Sequence, residues 1–275
     1  MVWGNEMNRQ RLKDKKRVVV KVGSSSLTHI ETGNINIAKM EKIIRQIADL
    51  KNSGKDVVLV TSGAQAVGIS ALNLETKPTE IEKKQAVASV GQASLMMIYQ
   101  KLFREYGLVS SQVLITKDII DQPKRKKNAS NTFCALFDYG VIPVVNENDT
   151  VAIDEIEFGD NDTLSAIVAE LVQADLLIIL SDIDGLYDSD PCQNPDAKLL
   201  SEVAEIDQHV TQMATGSRSK VGTGGMVTKL EAGHIATSNN IDMVIANSET
   251  LDVLHRIVSG ETIGTLFVAQ NTEGK

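Results

Sequence analysis

Lys21 stands inside the β-branched run Arg17–Val22 (RVVVKV) and is followed by Gly23, Ser24, Ser25 and Ser26. An ammonium in such a run is costly to bury unless something meets its charge. Either its aliphatic stem carries it out to solvent or it meets an anion. The glycine and three hydroxyls that follow favour the anion, because glycine lets backbone N–H groups approach a phosphate closely. A second basic element is Gly222, Thr223, Gly224, Gly225, Met226 and, three residues on, Lys229 (GTGGMVTK). A glycine-rich loop that opens a helix offers free N–H groups and the positive end of the helix dipole. Such loops are often only turns, but Lys229 falls about one turn into the helix and can point back over this one. The acidic counterpart is Gly159, Asp160, Asn161 and Asp162 (GDND), just ahead of an apolar helix. Helix N-capping explains one of its three polar residues. A second carboxylate there could position the two lysines or help to hold a nucleotide-bound Mg²⁺.

These residues need a frame that brings them together, and the chain alternates strand and helix patterns. Strands are expected at Arg17–Val22, Asp56–Val60, Val109–Ile115, Val141–Val145, Leu176–Leu180, Asp242–Ala246 and Ile263–Val268, all rich in Val, Ile and Leu. Helices are expected at Ile35–Asn52, Glu80–Tyr106, Lys127–Tyr139, around Leu164–Leu171, at Gly225–Asn239 and at Leu251–Val258; Gly54, Gly107 and Gly140 stop the first three. Thr150–Phe158 alternates apolar and charged residues and suggests an exposed hairpin, and Pro191–Pro195 a loop. The fold class is therefore α/β: an open, mainly parallel sheet sandwiched by helices on both faces. The expected organisation is a flexible, partly basic tail over residues 1–16 and a single domain from 17 to 275.

In such sheets ligands bind beyond the carboxyl ends of the strands. Four strands end there in small, polar or charged residues: Lys21 to Ser26; Thr61, Ser62, Gly63 and Ala64; Asn146, Glu147, Asn148 and Asp149; and Ser181 with Asp182. Random surface loops would produce one or two of these, whereas four together read as one site. The chain carries no GxxxxGK[ST] loop, no protein-kinase set and no GxGxxG after the first strand. The four histidines, His29, His209, His234 and His255, lie outside the clusters. A reaction that needs no general base fits this. A carboxylate, with a pKa of about 4, is already an ionised nucleophile at neutral pH. It needs alignment with the phosphoryl group and positive charge around it, which Lys21 and Lys229 can supply from two parts of the chain.

The formal net charge of −8 argues against general binding to nucleic acid or membrane surfaces. Cys134 and Cys192 lack CxxC spacing, so neither a disulfide nor a zinc site is expected. No apolar run reaches the ~18 residues that span a bilayer. Met1–Lys16 has no apolar signal core, and a cytoplasmic location is expected.

The segments VVVKVGSSSL, VVLVTSGA, PVVNENDTVA, FGDNDTLSA, LLIILSDIDGLYDSDP and GTGGMVTK resemble the amino-acid kinase superfamily over about Arg17 to Gln270. Their order and spacing resemble the glutamate 5-kinase branch; NEND, GDND and GTGGM are specific together and not singly. The resemblance implies the amino-acid kinase fold and ATP-dependent phosphorylation of the side-chain carboxylate of L-glutamate, the first step of proline biosynthesis. It implies that Lys21 and Lys229 contact ATP and stabilise the transferring group, while Asp162 orients both. Ser62, Asp149 and Asn161 would bind glutamate, Asp149 through its α-ammonium. Ser181, Asp182, Thr223, Gly224, Gly225 and Met226, with the two lysines, would bind the nucleotide. Ser181 stands where the family often has Thr, which keeps the hydroxyl. Mg²⁺ would arrive with ATP rather than in a protein cage. Many relatives carry a further PUA-type domain, which this chain is not expected to have. Feedback inhibition by proline, a homo-oligomer and hand-over to a glutamyl-phosphate reductase are inherited expectations. Kinases of the same superfamily acting on aspartate, acetylglutamate, uridylate or isopentenyl phosphate are the nearest alternatives, and the paired acidic motifs favour a substrate with a free amino group. A non-catalytic amino-acid sensor is the alternative from another class; Lys21, Lys229 and Asp162 are all present and speak against it.

Overall fold

A computed structural model describes residues 3–29, 32–152, 161–215 and 225–270. Its strands are β1 (Arg17–Val22), β2 (Asp56–Thr61), β3 (Ser110–Ile115), β4 (Ile142–Glu147), β5 (Leu176–Ser181), β6 (Glu202–Val203), β7 (Asp242–Asn247) and β8 (Thr265–Phe267). Its α-helices are α1 (Trp3–Gln10), α2 (Ile37–Asn52), α3 (Ala64–Ala71), α4 (Ile81–Glu105), α5 (Pro123–Asp138), α6 (Asn161–Leu171), α7 (Gln208–Thr215), α8 (Met226–Ser238) and α9 (Val253–Val258). The strands form one sheet in the order β3-β4-β2-β1-β5-β7-β8-β6. Every pairing is parallel except β7 with β8. The α/β expectation holds.

Two apolar layers cover the sheet, and strand alternation sorts side chains between them. Val18, Val20 and Val22 face a layer with α2, α4 and α9, and Val19 faces the layer with α5, α6 and α8. With a side-chain period of two, Lys21 must face the same side as Val19. The sequence pattern thus aims this ammonium at α6 and α8. After β1 the chain builds outward to one side through β2 and β4, then crosses back to place β5 on the other side of β1. The reversal puts a crevice beyond the carboxyl ends of β1 and β5.

The N-terminus corrects the expected tail. Residues 3–10 form α1 and Arg11–Asp14 a 3₁₀ turn. Leu12 is fully buried, and Arg9 donates to the carbonyls of Ile263, Ser201 and Gly264. Arg11 and Lys15 both pair with the buried Asp242. All of these partners lie about 190 residues or more along the chain, beyond any local pattern. The sequence reading also passes over α3, α7 and the two-residue β6. The first holds a glycine, Gly68, in mid-helix, and all three are too short to show a period. The proposed hairpin at Thr150–Phe158 falls mostly on residues 153–158, outside the described residues.

Candidate active site

Lys21, Asp162 and Lys229 meet at the crevice. Asp162 lies in the first turn of α6 and Lys229 in the first turn of α8. The Lys21 ammonium bonds to Oδ1 of Asp162, and Nζ of Lys229 donates to Oδ2 at 3.0 Å. Relative exposure is 0 % for Asp162, 6 % for Lys21 and 4 % for Lys229, so this is a buried triad rather than a surface ion pair. Burial by itself would push the Asp162 carboxyl upward, but the two ammonium charges and their hydrogen bonds hold it below the usual carboxylate range. The α6 N-terminus favours the same negative charge. A lysine in the first turn of a helix opposes the dipole, and Asp162 is the anion that offsets it at Lys229. Thr228, which the sequence reading did not single out, also reaches Asp162 Oδ2 at 3.4 Å and bonds back to Gly225 O at 2.8 Å.

One residue before Asp162, Asn161 turns toward the ends of β2 and β4. Its Nδ2 donates to Thr61 O at 2.6 Å, Asn146 Oδ1 at 2.8 Å and Ser62 Oγ at 3.0 Å. Ser62 precedes Gly63, whose φ of 96° opens the turn into α3. That left-handed geometry suits glycine because it has no Cβ to clash. Below the turn, the Thr61 hydroxyl pairs with the buried Tyr99 hydroxyl at 2.6 Å. Asp149 lies two residues past β4, part-buried and with no hydrogen bond or ion pair among the described residues. Burial pushes its carboxyl up to about 6.

Ser181 ends β5 and donates to the exposed Asp182 at 3.1 Å. Gly225 caps α8 and Met226 begins it. Thr223 and Gly224 lie outside the described residues, as do Gly159 and Asp160. Among the described residues no three His, Cys, Asp or Glu side chains stand close enough to hold a metal ion, and no helix is long and apolar enough to cross a membrane. A cavity of about 640 Å³ lined by Lys126, Lys127, Glu170, Gln173 and Asn240 lies at the opposite edge, beside the amino ends of β5 and β7. It shares no residue with the lysine triad.

Two buried ammonium groups meet on one carboxylate, with the anchored amide of Asn161 one residue before it, and such a pair of cations suits a polyanion. The model of the amino acid kinase family matches residues 16–247. The chain belongs to the amino acid kinase family. Among family members, glutamate 5-kinase of Clostridium perfringens is 56 % identical over 269 residues, covering 96 % of this chain and all of that one. Glutamate 5-kinase of Clostridium acetobutylicum is 54 % identical over 94 % of this chain and 97 % of its own length. That of Carboxydothermus hydrogenoformans is 56 % identical over 94 % of this chain and 69 % of its own length. The UMP kinase structure from Ureaplasma parvum superposes with a TM-score of 0.63 at 16 % identity, covering 92 % of this chain and 99 % of that one. It shows the shared amino acid kinase fold.

Sequence reasoning missed Gln92, Tyr99 and Thr228, and it placed Asn146 at the site edge without giving it a role. Gln92 did leave a signal. It sits on the buried stripe of α4 among Ala88, Leu95 and Met96, where a polar side chain needs a partner.

Proposed function

We propose that this chain transfers the terminal phosphoryl group of ATP to the side-chain carboxylate of L-glutamate, with Mg²⁺ entering on the nucleotide. The observation that carries the reading is the convergence of Lys21 and Lys229 on the two oxygens of Asp162 at the β1 crevice. ATP supplies the phosphoryl group and Mg²⁺ neutralises part of its charge when both are bound. The residues present fit such a polyanion: two buried ammonium groups stand together on the one carboxylate of Asp162.

Lys21 and Lys229 hold positive charge against the transferring group, and Asp162 fixes where those charges sit. The side-chain carboxylate of glutamate is ionised at neutral pH, so no residue need take a proton from it. A P–O bond forms to that carboxylate as the P–O bond to the departing ADP breaks, and no proton moves. At the other end of the substrate, Asp149 and Asn161 Oδ1 accept from the α-ammonium. Ser62 Oγ accepts from Asn161 and so keeps its own proton for the α-carboxylate. Two acceptors facing one amino group favour a free amino acid over an N-acetylated one. Ser181, Asp182, Thr223, Gly224, Gly225 and Met226 bind the nucleotide. Proline inhibition, a homo-oligomer and transfer of the product to a glutamyl-phosphate reductase accompany this reading.

The test is an ATP-dependent hydroxamate assay with glutamate, aspartate and N-acetylglutamate in parallel. Product is expected with glutamate only; preferential turnover of aspartate would overturn the assignment.

A further inference from the structure

Behind Asn161 runs a chain of side-chain amides. Asn146 Nδ2 donates to Gln92 Oε1 at 2.8 Å, and Gln92 Nε2 donates to Gln112 Oε1 at 3.3 Å. Gln92, Asn146 and Asn161 are all buried, whereas Gln112 is exposed. An amide can be turned end for end unless its neighbours forbid it. Here backbone groups forbid it at two points. Thr61 O can only accept, which fixes Asn161 Nδ2 beside it. The Glu147 N–H can only donate, at 2.9 Å, which fixes Asn146 Oδ1 as its acceptor. Asn146 must then offer Nδ2 to Gln92, and Gln92 must answer with its oxygen. The polarity of the whole chain follows from two peptide groups.

That polarity decides what Asn161 presents. Its Nδ2 is surrounded by Thr61 O, Ser62 Oγ and Asn146 Oδ1, so its Oδ1 lies on the other side of the amide. Among the described residues no donor is bonded to that oxygen. We infer that Gln92, a helix residue that touches no substrate, is a positioning residue for the amino acid. It braces Asn146, and through it Asn161, so that the carbonyl oxygen whose direction the peptide groups fix is kept in place before the substrate's ammonium. This rests on the function proposed above and deepens it.

The test uses the full chain and two substitutions at one position. Gln92→Leu keeps the volume but leaves the buried Asn146 Nδ2 without its acceptor. Gln92→Glu keeps the acceptor, and the exposed Gln112 can turn its own amide to donate. In Gln92→Leu the KM for glutamate is expected to rise roughly 10- to 100-fold, with KM for ATP and kcat within about twofold of wild type. Gln92→Glu is expected to restore KM for glutamate to within a few-fold of wild type. An unchanged KM for glutamate in Gln92→Leu overturns the inference. So does a parallel rise in both KM values, which would mean general loosening, or a Gln92→Glu variant as impaired as Gln92→Leu. If Gln92→Leu fails to fold, Gln92→Glu and Gln92→Met carry the same comparison. Wild-type enzyme assayed first separates the two claims. Preference for another amino acid would remove the assignment to glutamate, and the Gln92 effect would then be read on the KM of that amino acid.

Discussion

Two aspartates of the site are perturbed in opposite directions, and each predicts its own pH behaviour. Asp162 is held below the ordinary range by two ammonium groups, so its stabilising effect is present above the usual carboxylate pKa and is lost as pH falls through the depressed one. Removing one lysine leaves Asp162 a remaining partner. Lys229→Ala is therefore expected to lower kcat by roughly 10²–10³-fold, with a smaller effect on unfolding by urea. Wild-type turnover in that variant would end its catalytic role. Asp162→Asn leaves two buried ammonium groups without their carboxylate and is expected to cost roughly 3–5 kcal/mol in the same unfolding experiment. Asp149 has the reverse sign. Its carboxyl is raised to about 6 when folded, against about 3.9 unfolded, so its charge opposes folding above pH 6 and the penalty disappears below about pH 4. Asp149→Asn is expected to raise Tm at pH 8 and to leave it unchanged near pH 4, while losing affinity for glutamate. In the wild type kcat/KM for glutamate is expected to fall as pH drops through about 6, because a protonated Asp149 cannot pair with the ammonium. A flat profile between pH 5 and 8 would remove Asp149 from the substrate site.

The elements that carry these side chains are held by close backbone approach as much as by apolar packing. A Cβ on Gly91 would lie 1.8 Å from Ala64 O, and one on Gly68 would lie 1.9 Å from Val87 O. Helices α3 and α4 therefore touch main chain to main chain, just after the Ser62–Gly63 turn. Gly91→Ala must push α3 outward. It is expected to cost at least roughly 1–3 kcal/mol and to raise KM for glutamate more than KM for ATP; equal effects on both would separate this helix contact from the substrate site. None of this was legible in the sequence, where a glycine carries no sign of which distant backbone it meets. What was legible is the strand framework. A buried strand announces itself through β-branched runs, and the polar residues after β1, β2, β4 and β5 mark one edge. Even the face of Lys21 follows from its place in an alternating run. Non-local amide pairing, by contrast, leaves no period. Gln92 and Asn146 are 54 positions apart, and only the fold brings them together. The direction of β8 was equally hidden, because an antiparallel strand has the same composition as a parallel one.

Across the whole molecule the N-terminal segment binds the far side of the sheet. Lys15 leads directly into β1, yet it pairs at 2.8 Å with Asp242 at the start of β7. Arg11 grips the same carboxylate, Ala269 N donates to it at 2.8 Å, and Arg9 collects three carbonyls around β6 and β8. Asp242 is wholly buried, so its charge is tolerated only because these partners surround it. The strap thus ties the central strand to β7, β8 and β6, which have only short pairings of their own with one another at that edge. Its contacts share no residue with the Lys21–Asp162–Lys229 triad or with the Asn161 amide chain. Stability and substrate recognition should therefore separate under mutation. Arg11→Ala combined with Lys15→Ala is expected to lower stability by about 3–5 kcal/mol, with KM for glutamate and for ATP unchanged at a temperature where the variant is folded. Thermal unfolding and initial-rate kinetics on the same preparation check this. If KM for either substrate moves as far as stability does, the N-terminal segment reaches the site through β1, and the division between strap and site is wrong.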